Sequence, residues 1–261
     1  MEKTIEIIGR AAMLAGASFG KELAFSFKVF VNLFRRDTYN SASRTVLVNQ
    51  IYFTSVQILP LFIVVAITSG VLINGILFQM VKSLGLTDYL GKLLTGFVVT
   101  ELAPFVTVML IALRSSSAIN TEIAVMKVNG ELHALDVFGI DRIAYLFIPR
   151  IISVGVSMVL LTSLFALVVL SVGLLVSGLV FGTDADTYIE ILLSSADLPD
   201  IILVLFKSAA FGFFISLIPI RSGLTATREL SSIPVAVLNG MIRVFLVIIT
   251  IEALSLIPRL I

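Results

Sequence analysis

Five tracts, near 53–80, 90–113, 146–181, 200–220 and 234–257, are long and apolar enough to cross a bilayer. A hydrocarbon core of roughly 30 Å needs about 20 helical residues. Only 13% of the 261 residues are charged and 58% are hydrophobic, against about 25% charged in a soluble domain. With a mean hydropathy of +1.11, the chain lacks the polar surface to cover itself in water. It reads as a single all-α integral membrane domain with five transmembrane helices over 1–261. The rest of the composition removes whole classes of chemistry. Without Cys there is no disulfide, thiol catalysis or Cys-based zinc site. A single His leaves no multi-histidine metal site, and a net charge of +1 gives no overall attraction to nucleic acid. No short apolar core with a small-residue cleavage site opens the chain, so no removable signal peptide is expected.

The third tract is too long for one upright span and too short for two with a turn. A single tilted helix fits it, with Pro149 and Arg150 at its start. Gly173, Ser177, Gly178 and Gly182 predict close helix–helix approach along it. The first fifty residues differ in kind. At about 100° per residue, Lys3, Arg10, Lys21, Lys28 and Arg35 fall in one stripe, while Ile7, Ile8, Leu14, Phe25 and Phe30 lie largely elsewhere. Such a stripe describes amphipathic helix lying in the membrane interface. A sixth spanning helix would have to carry it through lipid. With the N-terminus inside, segments 1–50, 114–150 and 221–232 face the cytoplasm and hold 13 of the 18 Lys and Arg. The loop at 182–199, with Asp184, Asp186, Glu190 and Asp197, faces outward together with Asp200. The bias obeys the positive-inside rule and leaves the C-terminus outside.

Glu101 and Lys207 are charges set deep within apolar tracts. Glu101 stands mid-span in "LTGFVVTELAPFVTVML", where a carboxylate is expensive and marks a cavity, a partner or a proton path. Pro104 removes a backbone donor and frees the Thr100 carbonyl, which predicts a local opening. Lys207 lies seven residues in from Asp200, about 10 Å deep by helix rise. Both charges are therefore expected at one cavity in the outer half of the membrane, as a pair there or as a structural ion pair inside the bundle. A nucleotide site is not expected in the chain itself. "GLTDYLGKL" at 85–93 has one residue too many for G-x-x-x-x-G-K-[ST] and ends in Leu93. His133, Asp136 and Asp141 are too sparse for hydrolytic chemistry.

The stretch "TELAPFVTVMLIALRSSSAINTEIAVMKVNGELHALDVFGIDRIAYLFIPR" at 100–150 resembles the MlaE/YrbE permease family. That family reads close to R-E-L-G-P, then A-G-R-x-G-(S/T)-A, then A-E-(I/L)-G-x-M-(K/R)-x-x-E-Q-(I/L)-x-A-L-x-x-(M/F)-G-(I/V)-D-P and a Pro-Arg pair. Glu101, Leu102 and Pro104 match the first element, and Arg114 and Ala118 the second. Glu122, Met126, Lys127, Leu132, Ala134, Leu135, Gly139, Asp141, Pro149 and Arg150 match the third and its tail. Lys207, Ser208 and Glu252 add matches in the last two spans. Departures gather on the expected cytoplasmic side. Gly130-Glu131 replaces Glu-Gln, Arg142 replaces Pro, and Ser115–Ser117 fill a glycine-bearing stretch. "SSIPVAVLN" at 231–239 lacks two family arginines, at Val235 and Asn239.

The resemblance implies the permease subunit of an ABC transporter in the bacterial inner membrane, not itself catalytic, with ATP and Mg on a separate cytoplasmic ATPase dimer. Its partners would be a second permease chain, identical or different, an oligomeric periplasmic MCE-domain protein, phospholipid and a small cytoplasmic accessory subunit. Glu101, Leu102, Pro104 and Lys207 would line the lipid cavity. A cytoplasmic coupling segment at 115–141 would meet the ATPase through Glu122, Met126, Lys127, Glu131, Leu135 and Asp136, with a bend at Asn129-Gly130. The alternatives are a non-transport scaffold or ion- or proton-channel subunit docking a cytoplasmic partner, and an intramembrane enzyme, for which the ionisable residues are too scattered.

Overall fold

Runs of Leu, Ile, Val and Phe without charges satisfy their backbone polar groups within each segment by forming helix. In the computed structural model, which describes residues 25–33, 41–86, 89–182 and 184–260, five helices are long and apolar enough to span a membrane. They are α2 (Thr45–Leu84), α3 (Leu90–Val128), α5 (Ile143–Val180), α7 (Leu198–Gly223) and α8 (Ser232–Ile257). Three shorter helices complete the described chain: α1 over 25–33, α4 (Glu131–Val137) and α6 (Ala185–Ser195). The all-α membrane architecture is thus the one that hydropathy predicts.

Helix α5 is the central post, with α2 and α7 packed along it and α8 against α7 and the second half of α3. The α5–α7 crossing is tight because Gly212 faces Gly155: a Cβ at Gly212 would stand 2.6 Å from the Gly155 Cα. Gly173 is likewise enclosed, by the Asn74 amide of α2 and the Tyr188 hydroxyl of α6. Ser177 is buried too, but Gly178 faces outward, and Gly182 ends the helix in a left-handed cap with φ +66°. Of the four small residues expected to line an approach, only those on the inward phase of α5 do so.

The outward loop expected at 182–199 contains α6. Asp184 caps it by accepting from the Ala185 N–H at 3.1 Å, and buried Tyr188 anchors it by donating to the Leu170 carbonyl at 3.2 Å. Burial pushes the Tyr188 phenol up to about 12, so it remains a neutral donor.

At the other end of the bundle, α1 lies against α5 and α7. The Phe25 ring meets Phe147 edge-on at 6.3 Å, and Phe30 meets Phe213 at 6.1 Å. The Arg221 guanidinium sits 5.4 Å from the centroid of the Phe25 ring. Within the basic stripe, Lys28 is exposed on α1. Lys3, Arg10, Lys21 and Arg35 lie outside the described residues.

Helix α3 does not stop near 113. It continues through Ser117–Val128, because the serines at 115–117 fold into the helix instead of breaking it. The Ser117 hydroxyl donates back to the Leu113 carbonyl at 2.7 Å, and the Ser116 hydroxyl donates across to the Ile215 carbonyl of α7 at 2.6 Å. The helix ends only at Asn129-Gly130, where Gly130 adopts φ +80°, a conformation that costs an L-residue roughly 1–2 kcal/mol. A Cβ there would meet nothing within 4 Å, so the cost is purely one of backbone. Gly130→Ala should therefore destabilise the fold by about 1 kcal/mol, measured by urea titration in detergent, and Gly130→Asn by less.

Candidate functional site

Lys207 is buried mid-helix in α7, nine residues or about 14 Å from Leu198 by helix rise. Its ammonium forms an ion pair with the Glu101 carboxylate of α3 and a second, at 3.0 Å, with Glu252 of α8. One cation thus ties together three spans. The local cause on α3 is the proline. Residues Leu94–Leu102 just before Pro104 are π-helical, and the Thr100 carbonyl freed by the ring lies 3.5 Å from the Lys207 Nζ. Pro104 is itself buried, while Leu102 is half-buried against the apolar core.

The expected contact between Glu101 and Lys207 is therefore present, but in the single chain it is packed within the bundle, with Lys207 5% and Glu101 7% exposed. Glu252 is the member that a sequence reading of the site omits. Its signal was the one used for Glu101: a carboxylate inside an apolar tract, here α8, needs a partner.

The residues expected to form a docking surface divide in two. Helix α3 beyond Ser117 buries Ile119, Asn120, Ile123 and Ala124 against α7 and α8. The Asn120 amide donates to the Ala236 carbonyl of α8 at 3.3 Å, and close approach is possible because Gly223 and Gly240 face it without side chains. On the same segment Glu122 is held by Arg150, an arginine whose side chain is 2% exposed. Lys127 donates to the Leu224 carbonyl. Met126 and Leu135 are half-buried against the core. These four side chains brace the bundle, so reversing the charge of Glu122 or Lys127 strikes the fold as well as any surface.

Beyond Gly130 the chain turns outward. Glu131 is exposed and accepts from the Asn129 amide at 3.1 Å, and Asp136 pairs with Arg142 at 2.8 Å across an exposed turn, an arrangement worth little to stability. Between those acids and Gly139 the chain exposes Val137 and Phe138, at 71% and 78%. They are the most exposed apolar side chains on this projection, and alternation of charge and apolar residues in "ELHALDVFGID" did not single them out.

Comparison with known proteins points to a permease family. A family model described as Permease MlaE matches residues 47–257. A probable ABC transporter permease protein of a Synechocystis strain is 32% identical over 62% of this chain, and the match spans 63% of that protein's length. A protein of the same description from Rickettsia conorii is 27% identical over 83% of the chain and 82% of its own. A chloroplast protein of Arabidopsis thaliana named Trigalactosyldiacylglycerol 1 is 33% identical over 55% of the chain, spanning 41% of that protein.

Proposed function

The chain belongs to the MlaE permease family, and we propose that it is the permease subunit of an ABC transporter moving phospholipid or a related lipid between the inner membrane and a periplasmic MCE-domain protein. It is a multi-pass membrane permease, a transport subunit rather than an enzyme in kind. In the proposed complex two permease chains pair, ATP and Mg are held by a separate ATPase dimer, and Glu101, Leu102, Pro104 and Lys207 lie at the wall of the lipid path.

The observation that carries this reading is the α4 projection. Val137 and Phe138 stand exposed beyond a glycine turn, at the end of the bundle where Arg114, Lys127, Arg142, Arg150, Arg221 and Arg228 gather. The positive-inside rule favours the cytoplasm for that end, which is the side on which an ATPase works. It also favours the opposite face for α6 and the C-terminus. An apolar tip rimmed by Glu131 and Asp136 has the anatomy of an interface core within a polar rim. The lipid is supported by the name of the Arabidopsis relative, which is that of a glycolipid.

Gentle purification followed by mass spectrometry tests the reading. An ATPase with a Walker motif and a bound lipid should accompany the chain, whereas recovery of neither would favour a non-transport scaffold. Phe138→Asp should weaken recovery of the ATPase by about 2 kcal/mol, roughly thirty-fold in affinity. Its thermal stability should stay within about 0.5 kcal/mol of the parent, as expected for an exposed position.

A further inference from the structure

A cavity of about 330 Å³ lies between the start of α2 and the second half of α3, far along the bundle from Lys207. Ligand pockets begin at roughly 300 Å³. Its walls include Gln50, Thr54, Gln57, Arg114, Ser115 and Glu122. Both helices are π-helical where they border it, at Tyr52–Val56 and Ala112–Ser116, and such single-turn widenings recur at functional sites.

Arg114 donates to the Phe53 carbonyl at 2.8 Å and to the Gln57 amide oxygen at 2.6 Å. Those bonds fix the plane of the guanidinium and use two of its five N–H groups. Among the described residues, no carboxylate pairs with it. Glu122 lines the same cavity. One of its oxygens accepts from Arg150, and its side chain is half exposed. The cavity thus offers a preset cationic fork and a carboxylate.

Its depth is also defined. The polar positions Gln50, Thr54, Ser55 and Gln57 of α2 give way at Ile58 to an apolar run, and at that junction Tyr52 and the cavity-lining Phe53 are each 52% exposed. Aromatic residues at the end of an apolar run mark the head-group level. The geometry points to a binding site for a phosphodiester that carries an amine, an ethanolamine-type lipid head group. Arg114 takes the phosphate through its remaining N–H groups, with the Thr54 and Ser115 hydroxyls beside it, and Glu122 takes the ammonium. This site stands whether or not lipid is moved through the chain, and its test measures binding alone, so its failure would leave the transport reading untouched.

The test uses the full chain, delipidated in detergent, with thermal stabilisation titrated by four probes: dihexanoyl-phosphatidylethanolamine, dihexanoyl-phosphatidylglycerol, glycerophosphoethanolamine and inorganic phosphate. The ethanolamine lipid should bind about tenfold more tightly than the glycerol lipid. Arg114→Gln should weaken it at least tenfold, and Glu122→Gln should erase the preference between the two lipids. Binding of glycerophosphoethanolamine at comparable strength would support recognition of the head group itself. Weak binding of it beside strong lipid binding would assign the source to the bilayer. Inorganic phosphate binding as tightly as the ethanolamine lipid would overturn the proposal, leaving a bare anion site. So would an Arg114→Gln variant that binds normally. Should either variant fail to fold, Glu122 being also the partner of buried Arg150, the parent protein still decides: equal affinity for both lipids contradicts the assignment.

Discussion

Lys207→Met is expected to cost the fold about 3–5 kcal/mol and to abolish recovery of monodisperse protein in mild detergent. Methionine matches the lysine stem in volume, so little packing is lost. The damage is electrostatic: Glu101 and Glu252, both held by the same ammonium, would remain in an apolar interior without their cation. A buried pair contributes little net stability because desolvation offsets attraction, whereas removing one partner exposes the whole penalty. Two further outcomes follow. Lys207→Met/Glu101→Gln/Glu252→Gln should recover most of the lost stability, since no ion is then left unpaired. A cycle over Lys207→Met and Glu101→Gln should show a coupling of about 0.5–3 kcal/mol, read from unfolding midpoints. Strictly additive effects would contradict the arrangement.

Gly212→Val should be the next most damaging substitution, at about 1–3 kcal/mol or more. Even an alanine Cβ would stand 2.6 Å from the Gly155 Cα and 3.2 Å from its nitrogen. What it meets is backbone, which cannot rotate aside, so α5 and α7 must separate. Helices α3 and α8 both pack on α7, and the shift would therefore spread into the Lys207 cluster that joins them. Gly155→Ala offers the contrast: a Cβ there meets nothing within 4 Å, and the effect on the midpoint should be small. Thermal unfolding of both variants in the same detergent reads the difference.

Hydropathy made the five spans legible because a long apolar run in a bilayer has essentially one solution, a helix. Glu101 and Lys207 were legible for the same reason in reverse: each is so costly in an apolar tract that it demands a partner. The third member, Glu252, obeys the same logic but sits near the end of its tract, where a carboxylate can pass for an interfacial one. The division of the 115–141 segment was harder. Charge at Glu122 and Lys127 reads as solvated surface, yet Arg150 and the Leu224 carbonyl, 28 and 97 positions away, take up those charges. Periodicity carries no record of such partners. Asn129-Gly130 did mark the turn, because a left-handed backbone leaves its signature in residue type. Helix α6 was read as loop since its anchor, Tyr188, is a single residue among acids and short apolar runs.

The measurement closest to the central claim is ATP-driven movement of a fluorescent phospholipid in proteoliposomes containing this chain with the ATPase that co-purifies with it. Transfer to or from an MCE-domain acceptor outside should require ATP. It should fall at least tenfold in Phe138→Asp while the lipid-free complex of parent chains still hydrolyses ATP. Phospholipid transfer at the same rate with and without ATP, or ATP-driven passage of ions with no lipid moved, would contradict the account.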